Sequence, residues 1–212
     1  MKIAASYLSI KDNIKDNIKK LTNCDIDYLH VDVMDGKFVP NKTMEFEELK
    51  NVISNNKPLD VHLMVEEVQE YIDLYKTLNP YFITFHYEIN YDIMSLVMYL
   101  KQNNIKVGIS LKPETKVEAL VPYLPFIDLV LIMTVPPGAG GQKFIDSSVD
   151  KINKLIELRT NNNYDYLIEV DGGINLETIE KVKNVDIAVI GSYITNGDYE
   201  EKIKNVKEKI YG

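Results

Sequence analysis

Three histidines are all the chain has, and two of them stand in similar local company. His30 precedes Asp32 in Leu29-His30-Val31-Asp32-Val33-Met34-Asp35-Gly36, and His62 follows Asp60 in Leu59-Asp60-Val61-His62-Leu63-Met64. A third stretch, Glu169-Val170-Asp171-Gly172-Gly173, shows the same alternation of ionisable and apolar residues. Side chains of an extended strand alternate between faces, so each stretch carries one polar stripe opposite an apolar one. Imidazole nitrogens and carboxylate oxygens are the donors that hold a borderline divalent cation, and carboxylates are also general acids and bases. His30, Asp32, His62 and Asp171, drawn from three strands, are therefore read as the ligands of one divalent metal ion, for which Zn, Fe, Mn and Co are all suitable. Asp60 and Glu169, one pleat deeper, are expected to orient those ligands or to satisfy neighbouring polar groups. A lone buried histidine more often belongs to a satisfied hydrogen-bond network. Four ligand-type residues converging from three strands favour the metal, while His86, in Phe85-His86-Tyr87, fits a core or a wall position equally well.

Glycines mark a second chemical feature. Val135-Pro136-Pro137-Gly138-Ala139-Gly140-Gly141-Gln142, then Gly172-Gly173, then Gly191-Ser192 each follow an apolar run. Glycine lets backbone amides approach an anion closely, so Gly138, Ala139, Gly140, Gly141, Gly172, Gly173, Gly191 and Ser192 are read as a phosphate-binding end. Turns and hinges use the same residue; it is the placement after three successive strands that favours phosphate, and the longer loop over 134–143 has the length of a lid.

Such residues need elements to carry them. Short β-branched runs at 2–8, 27–33, 59–64, 81–86, 105–111, 127–133, 166–171 and 186–191 alternate with amphipathic segments near 11–22, 45–54, 67–78, 91–103, 115–122, 147–160, 175–183 and 198–210. Repeated strand-then-helix units force parallel strands, and eight of them predict an α/β fold, a (β/α)8 TIM barrel forming one domain over 1–212. An open dinucleotide-binding sheet would place a glycine fingerprint after the first strand, where Ser9-Ile10-Lys11-Asp12 stands instead. The ionisable stripes sit at C-terminal strand ends, the barrel face on which active sites are built. Asn161-Asn162-Asn163 reads as a loop tip.

Composition narrows the partners. With 45% hydrophobic and 26% charged residues the 212-residue chain has a globular composition. A formal charge of −8 without a basic cluster argues against nucleic acid, and it requires any anion site to supply its attraction locally. One cysteine, Cys24, precludes an internal disulfide. The start of the chain lacks a long apolar signal region and no run approaches the roughly 18 residues of a bilayer span, so no membrane association and a cytoplasmic location are expected.

Taken together, His30 to Gly36 with Phe38-Val39-Pro40-Asn41, Leu59 to Met64, Gly138 to Phe144 and Glu169 to Ile174 make the chain resemble the ribulose-phosphate 3-epimerase family along nearly its whole length. The resemblance implies a metal-dependent barrel that interconverts D-ribulose 5-phosphate and D-xylulose 5-phosphate in the pentose phosphate pathway, and a homo-oligomer. It implies Asp32 and Asp171 as the acid/base pair as well as ligands, Ser6, His62 and Asp171 on the substrate, Met34, Met64 and Met133 around the reacting centre, and the glycine loops at the phosphate. The family commonly has Pro at Ala5, a bulky aromatic at Ala139 and Asn at Lys112, departures that touch no proposed ligand but leave the sugar less defined.

Inverting a carbon beside a ketone requires a proton to leave one face and return to the other face of a planar enediolate, which calls for two acid/base groups on opposite flanks. The cation is expected to stabilise the developing charge. A 3-epimerase acting on D-allulose 6-phosphate would use the same residues. A Schiff-base aldolase would need Lys112, and a non-catalytic sugar-phosphate-binding barrel would need no base at all.

Overall fold

The computed structural model describes residues 1–53 and 56–212. Eight parallel strands, β1 (Lys2–Ser6), β2 (Tyr28–Met34), β3 (Leu59–Met64), β4 (Phe82–His86), β5 (Lys106–Leu111), β6 (Leu129–Met133), β7 (Leu167–Asp171) and β8 (Ile187–Ile190), pair in sequence order and close through β8 with β1. This is the expected (β/α)8 barrel. Around it lie α1 (Ile14–Asn23), α2 (Phe46–Lys50), α3 (Val68–Tyr75), α4 (Ile93–Gln102), α5 (Ser148–Asn162), α6 (Ser192–Thr195) and α7 (Tyr199–Tyr211). Each longer helix turns a narrow apolar stripe inward: Ile18 and Leu21 in α1, Ile152 and Leu155 in α5, Ile203 and Val206 in α7. Asp92 and Asp198 cap α4 and α7 by accepting from backbone amides of the first turn.

Two expected helices are shorter and tighter than their patterns suggest. The segments at 115–122 and 175–183 form only the 3-10 turns Val117–Leu120 and Ile179–Val182. Their buried anchors are Val117 with Leu120 and Ile179 with Val182, spaced by three, and a three-residue turn stacks that spacing on one face. The Asn161-Asn162-Asn163 loop tip is also revised. α5 runs through Asn162, and Asn163 stops it in the left-handed region at φ 54, a conformation asparagine tolerates. Ser54, the last residue of the helix expected over 45–54, lies outside the described residues.

Strand residues facing the helices, such as Leu29, Val31, Val61, Leu63, Val130 and Ile132, form the main core. Inside the barrel, the N-terminal end is closed by Ala4, Tyr28, Phe82, Leu129, Ile187 and Val189. Burying a side chain of the size of Phe82 or Leu129 stabilises the fold by roughly 1.5–3 kcal/mol, so this plug is a stiff floor. Register then sets the chemistry: His30 lies beside Asp60 and Asp32 beside His62 on β2 and β3, and Met133 lies beside Asp171 on β6 and β7.

Candidate active site and metal centre

β2, β3 and β7 deliver His30, Asp32, His62 and Asp171 to one point at the C-terminal mouth. A ligating atom from each lies within 4.8 Å of the others. His30 Nε2 is 3.4 Å from Asp32 Oδ1 and 3.8 Å from Asp171 Oδ2, and His62 Nδ1 is 3.3 and 3.7 Å from the same two oxygens. Behind them, His30 Nδ1 meets Asp60 Oδ2 at 2.5 Å, which leaves Nε2 as the outward atom. That Nε2 is buried and has no hydrogen-bond partner. An orphaned imidazole nitrogen costs free energy unless something occupies its lone pair or shares its proton, and two imidazoles with two carboxylates are a donor set that suits a divalent cation. The residues present fit such an ion.

The electrostatics separate the two carboxylates. Burial pushes Asp32 up, but His30 and His62 outweigh it and hold the carboxyl well below the usual range. Asp171 has the opposite balance. Burial and the neighbouring charge of Asp32 raise it to about 6 despite both histidines. Burial lowers His30, yet Asp60 and Asp32 hold it well above the ordinary histidine value. Asp32 is thus held ionised while Asp171 binds a proton more readily than an ordinary aspartate, a difference in acid and base character set by environment. Deeper still, burial and Asp60 push Glu169 far above the ordinary glutamate value; its carboxyl oxygens and Asp60 Oδ1 lie unpartnered beside His30.

Above these residues is a cleft whose lining joins both expected regions. Ser6, Asp32, Met34, Met64, Met133 and Asp171 line it together with Gly138 to Gly141, Gly172, Gly173, Gly191 and Ser192. Ser6 donates its hydroxyl to Asp32 Oδ2 at 2.9 Å and accepts from the Leu8 amide. His62, expected also to touch substrate, is fully buried beneath the cleft and is not part of its lining. The glycines meet real constraints. Gly172 has φ +122, and a Cβ there would stand 2.3 Å from the Val135 side chain; at Gly138, φ +112 and the Val39 side chain impose the same demand. The sixth loop is tied down by Asn41 Nδ2, which donates to the Gly138 carbonyl at 2.7 Å, and by Gln142, whose amide donates to the carbonyls of Pro136 and Ala139.

Several contributors have no role in the motif reading. Ser9, Gln142 and Val189 line the cleft. Glu88, unmarked by any motif, binds His86 Nδ1 at 3.2 Å, and His86 Nε2 in turn lies 2.9 Å from His62 Nε2. Glu88 lies in the turn that follows β4, beyond the strand's alternation, so no periodic signal marks it. Burial lowers His86 to about 4, and Glu88, raised by burial but more strongly held down by His86 and Thr115, falls to about 2. The Lys112 ammonium rests 4.1 Å over the Phe38 ring, and the residue is not part of the cleft lining.

Comparison with known proteins follows the same lines. The model of the "Ribulose-phosphate 3 epimerase family" matches residues 2–195. A ribulose-phosphate 3-epimerase of Helicobacter pylori strain J99 is 42% identical over 198 residues, covering 92% of this chain and 90% of that protein. One from Treponema pallidum strain Nichols is 41% identical over 173 residues, covering 80% and 79%. Among solved structures, 3-hexulose-6-phosphate synthase from Salmonella typhimurium superposes with a TM-score of 0.69 at 16% identity, covering 99% of this chain and 98% of that one, a likeness of fold.

Proposed function

We propose that this chain, which belongs to the ribulose-phosphate 3-epimerase family, inverts C3 of a ketose phosphate, converting D-ribulose 5-phosphate to D-xylulose 5-phosphate and back. The observation that carries the reading is the pair Asp32 and Asp171. They come from β2 and β7, line one cleft together with Ser6 of β1 and Val189 of β8, and differ in their hold on a proton. Ionised Asp32 takes the C3 proton from one face; protonated Asp171 gives one to the other, and the roles exchange in the reverse direction. Ser6, donating to Asp32 Oδ2, keeps that carboxylate aimed and favours its ionised form. Met34, Met64 and Met133, all buried, wall the reacting centre with polarisable apolar surface that competes for no proton.

His30, Asp32, His62 and Asp171 would hold the divalent cation, which when bound acts as a Lewis acid toward charge developing on the sugar oxygens, a contribution of several kcal/mol. The glycine loops after β6, β7 and β8 open toward the same cleft, and their amides supply the local attraction for phosphate that a chain of net charge −8 needs. The chain works on a free sugar phosphate in a cell's carbohydrate metabolism, as a homo-oligomer in the cytoplasm; no helix among the described residues is long and apolar enough to cross a membrane.

The test is NMR in deuterated water with D-ribulose 5-phosphate and D-allulose 6-phosphate offered separately, alongside metal analysis of the purified protein. The expected result is one divalent ion per chain and deuterium at C3 with inversion, faster for the five-carbon sugar. Faster turnover of the six-carbon sugar would overturn the substrate, and label only at another carbon would overturn the reaction.

A further inference from the structure

We propose that Glu88 and His86 are positioning residues that select the tautomer of His62 and lock its ring, so that Nδ1 is the atom His62 presents to the metal ion. The inference rests on the metal-site reading above and extends it two residues outward. The two metal-facing histidines are supported differently. His30 has a carboxylate directly behind it, with Asp60 Oδ2 on Nδ1 at 2.5 Å, and presents Nε2. His62 has no carboxylate behind it; its rear nitrogen, Nε2, meets only another imidazole, His86 Nε2, at 2.9 Å. Two ring nitrogens at that distance share a single hydrogen, so one donates and the other accepts.

Glu88 decides which. Its Oε2 lies 3.2 Å from His86 Nδ1, and an ionised carboxylate can only accept, so Nδ1 of His86 carries the hydrogen. His86 Nε2 then has a lone pair and accepts from His62 Nε2. The remaining nitrogen of His62, Nδ1, is left as a lone-pair donor 3.3 Å from Asp32 Oδ1 and 3.7 Å from Asp171 Oδ2, at the point where His30 Nε2 also arrives. Metal-bound imidazoles are commonly fixed by such a bond on the far nitrogen. Here it passes through a second ring.

The carboxylate itself is anchored. Its other oxygen, Oε1, accepts the Lys112 backbone amide at 2.8 Å and the Thr115 hydroxyl, so it cannot swing away from His86. The His86 ring packs against Phe38, with centroids 4.8 Å apart and planes tilted by 42°, and meets the His62 ring edge to edge with centroids 5.0 Å apart. His62 and His86 are fully buried, and the chain of donors runs in one direction only.

The zinc-loaded protein with nitrogen-15 in its histidines tests this directly, because only three imidazoles appear in a long-range proton–nitrogen spectrum and His86→Gln identifies one of them. The expected spectrum shows His86 as the Nδ1–H tautomer and His62 protonated at Nε2. His86 found as the Nε2–H tautomer would overturn the relay. A second readout is competition for zinc by a chelator. Glu88→Ala is expected to lose zinc about 10–100-fold more readily, the usual cost of removing an outer partner of a metal ligand, and Thr115→Val, which removes one donor to Glu88, by a smaller factor. Zinc retention equal to the parent in both variants would overturn the proposal, and Thr115→Val with the parent spectrum decides the matter should Glu88→Ala fail to fold. Neither readout involves a sugar. Failure of the parent protein to bind zinc, or to exchange C3, counts against the proposed function, whereas zinc bound with the wrong His86 tautomer counts against the relay alone.

Discussion

The two ends of the barrel interior are made by the same strands and have opposite character. At the N-terminal end Tyr28, Phe82, Leu129 and Ile187 interlock as an apolar plug. Two residues further along β2, and at matching depth on β3 and β7, the inward positions become His30, Asp60 and Glu169, and two further on Asp32, His62 and Asp171. One end stores packing energy, and the other carries unpartnered buried polar atoms and two carboxyls whose hold on a proton differs. Stability and chemistry are therefore separable along a single strand, which is why this architecture tolerates a polar mouth: the floor beneath it does not depend on what the mouth binds.

That separation makes quantitative demands. The largest effect expected is at the mouth. Asp171→Asn is expected to lower kcat by about 10²–10⁴ fold, the range a general acid or base contributes, with little change in the thermal midpoint; steady-state assay and calorimetry of the same sample check both. At the floor the pattern should invert. Phe82→Ala is expected to cost about 3–5 kcal/mol of folding stability in urea titration while the folded fraction keeps its metal and its turnover. A loss of turnover at unchanged folded fraction would break the division. Gly172→Ala tests the border between loop and site. With φ +122 and Val135 in the way, it is expected to destabilise by about 1–3 kcal/mol and to raise KM for the sugar phosphate more than it lowers kcat.

The smallest effect is a pH signature of Glu88. Its carboxyl sits near 2 in the fold, held down by His86 and Thr115 against burial, while an unfolded glutamate titrates near 4.3. A depressed group contributes stability that is present above the unfolded value and is lost as pH falls through the folded one. Glu88→Gln should therefore flatten the fall in stability between about pH 4.3 and about 2 relative to the parent chain, read as urea midpoints across that window; an unchanged slope would contradict the assigned environment.

Much of this was legible from residue order because it depends on local periodicity. Alternation alone put His30 with Asp32 and Asp60 with His62, and a count of strand-then-helix units led to the closed barrel. What escaped depends on long-range approach. Nothing in Phe85-His86-Tyr87-Glu88 announces that His86 will meet His62 end to end, since that distance is set by how β3 and β4 tilt in the closed barrel. The bond from Asn41 to Gly138, 97 positions apart, is equally invisible along the chain. The two 3-10 turns escaped for a local reason, because a spacing of three buried residues is compatible with either helix type.

The most direct test follows hydrogen at C3 in Asp171→Asn, prepared with its metal content verified, when D-ribulose 5-phosphate is incubated in deuterated water. With the second acid/base group gone and Asp32 intact, the expectation is slow exchange of the C3 hydrogen of one epimer with formation of the other suppressed. Interconversion of the two epimers at the parent rate would contradict the assignment of two aspartates to the two faces of the sugar.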